Sequence, residues 1–235
     1  MNKDSLKRLI DVANGNKKAD LVLKNGSIVD VCSGKIFKAD LAIAEGYIAG
    51  FGEYDGETEV DIEGKYIAPG LMDAHIHIES SYCTPEEFGR MVVPHGTTTV
   101  IADPHEIVNV CGIKGFHYMQ EAAKNTCLSV EYMMPSCVPA TKMEDSGCVI
   151  SAEDMADDIV SKDVPGLGEF MDYNAVIEND DIAIDKLILA KDHGKIVDGH
   201  SPNLFGKALN AYACAGIDTD HECSTLEAVS YTHLR

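Results

Sequence analysis

Long apolar runs are missing from this sequence. No stretch approaches the roughly 18 residues that a membrane-spanning helix needs. The first segment, residues 1–18, is polar and lacks the apolar stretch of a secretory signal. A cytoplasmic protein with no membrane partner is therefore expected. Basic residues are scarce, 19 Lys and Arg against 39 Asp and Glu, and the formal net charge is −20. A surface of that sign repels phosphate backbones, so nucleic acid is not an expected partner. Negative charge also keeps a protein soluble, and it needs no further explanation. The 8 cysteines are scattered, at 32, 83, 111, 127, 137, 148, 214 and 223. None forms a C-x-x-C pair, which removes zinc-ribbon and redox motifs and leaves reduced thiols as the expectation. His105-Glu106 opens an H-E-x-x-H, but Asn109 stands at its last position. His77-x-Glu79 opens a cytidine-deaminase-like zinc site, but no P-C-x-x-C follows. No glycine-rich nucleotide loop is present.

What is there is an ordinary globular balance, 45% hydrophobic and 25% charged. Two regimes divide it. From Asp20 to about Pro69, short strands alternate with turns: Asn25-Gly26 reads as a hairpin signal, and Ser33-Gly34 and Glu45-Gly46 as further turns. This segment reads as a small β-sandwich or sheet, a β-sandwich-like domain expected over residues 1–69. Ahead of its strands, Leu6, Leu9, Ile10 and Ala13 share one face of a helix over 4–13.

From Leu71 onward, strand and helix alternate. Strands are expected at 71–78, 97–102, 127–134, 166–171, 195–199 and 217–221. Helices between them start at recognisable signals: Thr84-Pro-Glu-Glu87 offers a cap, a proline and an acidic first turn, and Ser151-Ala-Glu-Asp154 has capping-box spacing. A further helix is expected from Ser224. About six β/α units in a row imply a parallel sheet, either doubly wound or a (β/α)₈ barrel. A complete barrel takes about 250 residues, so a barrel here is truncated by about two units.

Chemistry-bearing residues sit at the ends of these strands. His75 and His77 are two apart, so in a strand both rings point to one side and can grip one cation. Glu169 ends the fourth strand, His200 the fifth and His221 the sixth. A lone histidine at such a place is more often a hydrogen-bonded structural residue. Four strands converging with His-x-His, Glu, His and His suit a pair of divalent cations sharing a carboxylate. Asp103, His105 and Glu106 follow the second strand and aim at the same mouth; a proline-broken turn explains them equally well.

Pro69-Gly-Leu-Met-Asp-Ala-His-Ile-His77 is similar to the signature of the amidohydrolase superfamily, which pairs a small composite β domain with a metal-binding barrel. The resemblance to the adenine deaminase branch is closer. It is carried by residues 75–81, Thr97 to Glu106, Met133 to Thr141, Gly168 to Asp172, Asp198 to Pro202 and Asp220 to Cys223. That resemblance implies that His75 and His77 hold one metal, that Glu169 bridges two, and that His200 and His221 hold the second. It implies a manganese or iron pair, a small-molecule purine substrate, and hydrolysis of adenine to hypoxanthine and ammonia. Asp103, His105 and Glu106 become residues that support the ligands or contact substrate. A homo-oligomer is left open for a full-length version. The superfamily also has an aspartate at the end of an eighth strand, which this sequence does not reach. Residues 70–229 are thus expected to be an incomplete barrel, and the tail 230–235 no longer matches the branch. Two other readings stay open: an amidohydrolase acting on a cyclic amide, and an inactive truncated scaffold.

Overall fold

A computed structural model describes residues 1–222. The expected helix from Ser224 and the tail 230–235 lie outside them. The chain divides into two compact units, Met1–Pro69 and a second beginning at Gly70.

The first unit opens with α1 (Lys3–Ala13), capped by the Asn2 side chain, which accepts from the backbone N–H groups of Asp4 and Ser5 at 3.0 and 2.9 Å. Five strands follow: β1 (Ala19–Asp30), β2 (Lys35–Ala44), β3 (Tyr47–Gly52), β4 (Gly56–Asp61) and β5 (Tyr66–Ile67). They form one sheet of order β3-β2-β1-β4, with β5 continuing beside the second half of β1. Of the two readings, sandwich or sheet, the structure has a single sheet with a helix against it. Its small core is Val12 of α1 packed on Ala19, Val22, Ala42 and Ala44, with Leu9 beside it. The helix face therefore runs through Leu9 and Val12, while Leu6 and Ile10 are exposed. Small alanines on the sheet leave room for a helix to approach.

Asn25-Gly26 is not a hairpin. It lies inside β1, where Asn25 has φ 61° and the register with β2 shifts between Leu23 and Gly26. The left-handed preference of Asn makes a bulge here instead of a turn. Glu45 and Gly46 do form the two-residue turn between β2 and β3, with φ of 54° and 77°, the signs that a type I′ hairpin requires.

Among the described residues, the second unit carries six parallel strands: β6 (Leu71–Ile76), β7 (Thr97–Ala102), β8 (Ser129–Tyr132), β9 (Gly166–Phe170), β10 (Ile196–Gly199) and β11 (Thr219–Asp220). One sheet runs β6-β7-β8 and another β9-β10-β11. A parallel bridge between Met134 and Leu167 joins β8 to β9. The strands therefore follow one another in chain order with no reversal. A doubly wound sheet would reverse at a switch point; a barrel wall would not.

Among the described residues, seven α-helices accompany these strands: α2 (Pro85–Val92), α3 (His105–Cys111), α4 (Ile113–Ala123), α5 (Ala152–Ile159), α6 (Tyr173–Ile177), α7 (Asp181–Asp192) and α8 (Gly206–Cys214). Ser151 and Asp154 cap α5 reciprocally, side chain to backbone in both directions. Between strands and helices lies one apolar core that includes Val100, Phe116, Met134, Met155, Leu167, Leu187 and Tyr212. Such burial is the main stabilising term for the unit. Among the described residues, no helix is long and apolar enough to cross a membrane.

Candidate metal centre

Glu169 is the hub. It sits on β9, whose five residues are all buried, and its carboxylate meets imidazoles from four directions. Near Oε1 stand His77 Nε2 at 3.2 Å and His105 Nε2 at 3.1 Å, with His75 Nε2 farther off at 3.8 Å. Near Oε2 stand His200 Nδ1 at 2.9 Å and His221 Nε2 at 3.2 Å. Each carboxylate oxygen thus has its own set of rings. The structure brings His75, His77, Glu169, His200 and His221 to one place, together with His105.

The backbone explains the convergence. β6 ends beside His75 and His77, β9 carries Glu169, and β10 and β11 end beside His200 and His221. Parallel neighbours present their carboxyl ends at the same edge. His105 arrives differently, as the first residue of α3 directly after β7. The sequence leaves this stretch open between a proline-broken turn and a loop at the site; the structure makes it the start of a helix, where proline is at home. The short α6 was missed too, since five residues give no period to read.

Tautomers follow from the partners. His75 Nδ1 and His221 Nδ1 donate to the same atom, Asp198 Oδ2, at 2.9 and 3.1 Å. His77 Nδ1 donates to the Asp103 backbone carbonyl at 2.9 Å. A carboxylate and a carbonyl only accept, so all three Nδ1 atoms carry protons and the neutral rings offer lone pairs at Nε2. Those lone pairs face the Glu169 carboxylate, and His75 Nε2 lies 3.1 Å from His77 Nε2. Acceptors facing acceptors need positive charge between them. His200 Nδ1 adds to this demand: it is buried and lies 2.9 Å from Glu169 Oε2 without the alignment of a good hydrogen bond.

Protons can supply that charge. Burial opposes ionisation of His77, but Glu169 and the Asp103 carbonyl outweigh it and hold the ring at about 9. His221 is likewise opposed by burial and carried by Asp198 and Glu169 to about 10. His105 is raised by Glu169 and Asp103 against burial. Burial would raise Glu169, yet the surrounding histidines hold it far below the carboxylate range.

Divalent cations fit the same atoms. Three-atom donor sets lie within 4.8 Å of one another in His75-Glu169-His221, in His77-His105-Glu169 and in His200-His221-Glu222. His75 Nε2 is also 3.1 Å from His77 Nε2, and His221 belongs to two sets, so His75 can pair with His77 and His221 with His200. Ligands about 2.1 Å from one ion and at right angles are about 3.0 Å apart, which is close to the separations around Glu169. Imidazole with carboxylate suits zinc, iron and manganese alike.

Asp103 is fully buried and supports the hub from below. Its Oδ2 accepts from the Glu169 backbone N–H at 2.9 Å, and burial lifts the acid to about 6. Gly168 permits this approach, since a Cβ there would collide with the Asp103 carboxylate. Glu106 is exposed and accepts from Ser80 Oγ at 2.7 and 2.8 Å, outside the imidazole cluster. Sequence reasoning missed Asp198, whose two-residue spacing from His200 was the available signal. It also missed Tyr212, which donates to the Phe170 carbonyl at 2.7 Å and accepts from the His200 backbone N–H at 3.0 Å.

Comparison with known proteins places this architecture. The model of the amidohydrolase family matches residues 66–235. The chain belongs to the amidohydrolase family. This amidohydrolase is 59% identical over 227 residues to adenine deaminase 2 of Desulfotalea psychrophila, covering 97% of this chain and 39% of that protein. It is 57% identical over 228 residues to adenine deaminase of Ligilactobacillus salivarius, with the same coverages of 97% and 39%. The chain therefore spans about two-fifths of the length of these curated relatives. Among solved structures, N-acyl-D-glutamate deacylase of Bordetella bronchiseptica, complexed with zinc and a phosphonate inhibitor, superposes with a TM-score of 0.59 at 16% identity over 86% of this chain and 51% of that one. Ochratoxinase of A. niger gives 0.55 at 12% identity over 93% of this chain and 64% of that one. Those likenesses show an amidohydrolase-type fold.

Proposed function

We propose that this amidohydrolase carries the metal centre of a hydrolytic adenine deaminase, which converts adenine and water to hypoxanthine and ammonia. The observation that carries the reading is the Glu169 carboxylate with imidazoles at both oxygens, 2.9 to 3.2 Å away. His75 and His77 would hold one cation and His200 and His221 the other, with Glu169 between them. A manganese or iron pair bound there supplies Lewis acidity that brings the pKa of water towards neutrality.

The chain's own residues do the rest. Asp198 and the Asp103 carbonyl keep Nδ1 protonated on three rings, so that Nε2 is the ligating atom. Asp103 fixes the Glu169 backbone from a buried position, so its work is support and not substrate contact. Glu106 is solvent-facing beside Ser80, which suits a carboxylate that meets the polar edge of the purine. His105 lies against Glu169 and takes part in the ligand cluster more directly than a residue that only supports it.

The identity to two adenine deaminases supports adenine over a cyclic amide as substrate. The test is ammonia release from adenine by the manganese-loaded chain, extended at its C-terminus with the sequence of the Desulfotalea relative beyond the matched region. Adenine-dependent ammonia that disappears with chelator is expected. Hydrolysis of a dihydropyrimidine amide, with adenine untouched, would replace this reading with the cyclic-amide one.

A further inference from the structure

Asp198 is an acid beside the centre that none of its donor sets includes. It lies on β10, is 8% exposed, and spends both oxygens. Oδ2 accepts from His75 Nδ1 at 2.9 Å and from His221 Nδ1 at 3.1 Å. Oδ1 accepts from Thr219 Oγ1 at 2.7 Å and from the Gly199 backbone N–H at 3.0 Å. One carboxylate therefore ties together the ends of β6, β10 and β11. The consequence is visible in the rings: His75 and His221 stack with centroids 3.5 Å apart and planes 8° from parallel. Asp198 lies at the Nδ1 edge of both rings.

We propose that Asp198 is a positioning residue that clamps His75 and His221 together, fixing the protonated Nδ1 edge of both rings so that both Nε2 atoms face Glu169. The proposal rests on the metal-centre reading above, in which these two rings ligate different cations. A single carboxylate then orients ligands of both halves of the pair. Carboxylate partners of ligating imidazoles raise ligand basicity as well as fix the ring, and their loss typically costs about 10- to 100-fold in metal affinity. Asp198 touches no reacting atom in this scheme; it acts through the two rings.

The test uses the chain itself with Asp198→Asn, and Thr219→Val as a milder variant that leaves the carboxylate but removes one of its anchors. Two readouts are taken. The first is Mn²⁺ affinity by titration against a chelator. The second is the ¹⁵N-edited proton spectrum, where protons shared with a carboxylate give protected, downfield Nδ1–H signals for His75 and His221, with or without Zn²⁺. The wild type should show both signals; Asp198→Asn should lose both together and bind Mn²⁺ about 10- to 100-fold more weakly. Thr219→Val should weaken affinity by less and broaden both signals. Retention of both signals and of full affinity in Asp198→Asn overturns the proposal. Should Asp198→Asn fail to fold, unchanged signals and affinity in Thr219→Val overturn it instead. A wild type that binds no Mn²⁺ but shows the paired signals, lost together on substitution, rejects the metal reading while the clamp stands.

Discussion

Replacing Glu169 by Gln tests the centre at its hub. The substitution keeps the volume but turns one oxygen into an NH₂ group that only donates, and removes the charge. At the observed 3.2 Å between Glu169 Oε1 and His77 Nε2, an effective dielectric of about 20 gives a carboxylate–imidazolium attraction of about 5 kcal/mol. Burial alone lowers His77; the carboxylate and the Asp103 carbonyl lift it to about 9. Without the carboxylate, burial is opposed only by Asp103, and the ring should titrate below its wild-type position. The rings can shed their protons, so the fold is not forced to hold uncompensated charge, and the variant should remain folded. Two measurements follow: a histidine NMR titration of the cation-free chain, and manganese content after dialysis. The wild type should keep two manganese ions and His77 at about 9. The Gln variant should keep one or none, with His77 displaced downward from about 9. A variant that retains two ions and an unmoved His77 refutes the bridging role.

Further outcomes follow from the same geometry. His77 and His221, held at about 9 and about 10, are protonated in the cation-free chain at pH 7.5, so a cation must displace protons. Loading should therefore release protons, and affinity should rise with pH until both rings have titrated; calorimetric heats that do not vary with buffer ionisation enthalpy would contradict this. Glu106→Gln, made in the extended enzyme, should lower turnover of adenine while leaving manganese content intact, because Glu106 binds Ser80 and no imidazole; unchanged kinetics would remove Glu106 from substrate contact. Gly168→Ala should push its new methyl into the Asp103 carboxylate and cost about 1–3 kcal/mol. For a unit of this size, that lowers the melting temperature by about 2–4 °C per kcal/mol, and an unmoved transition would show that the approach is looser than described.

The parts of the centre that could be read from sequence are those with a local rule behind them. His75 and His77 share a side because strands alternate, and Glu169, His200 and His221 end strands whose alternation with helices was visible. The capping box of Ser151 and Asp154 was equally local. What escaped depends on partners distant in sequence. Asp198 finds His75 across 123 positions, and its two-residue spacing from His200 is the one local sign of it. Asn25-Gly26 has the same composition in a bulge as in a hairpin; the continuation of β1 decides between them. The helix at His105 was hidden by a proline that begins it. The single sheet of the first unit was hidden because strand content alone does not say how many strands share one partner, and here β2, β4 and β5 all pair with β1.

Anomalous diffraction at the manganese edge, on crystals grown with Mn²⁺, tests the central claim most directly. Two peaks should flank Glu169, one beside Oε1 near His75 and His77 and the other beside Oε2 near His200 and His221. No peak at Glu169, or manganese bound only at surface carboxylates, would contradict the account.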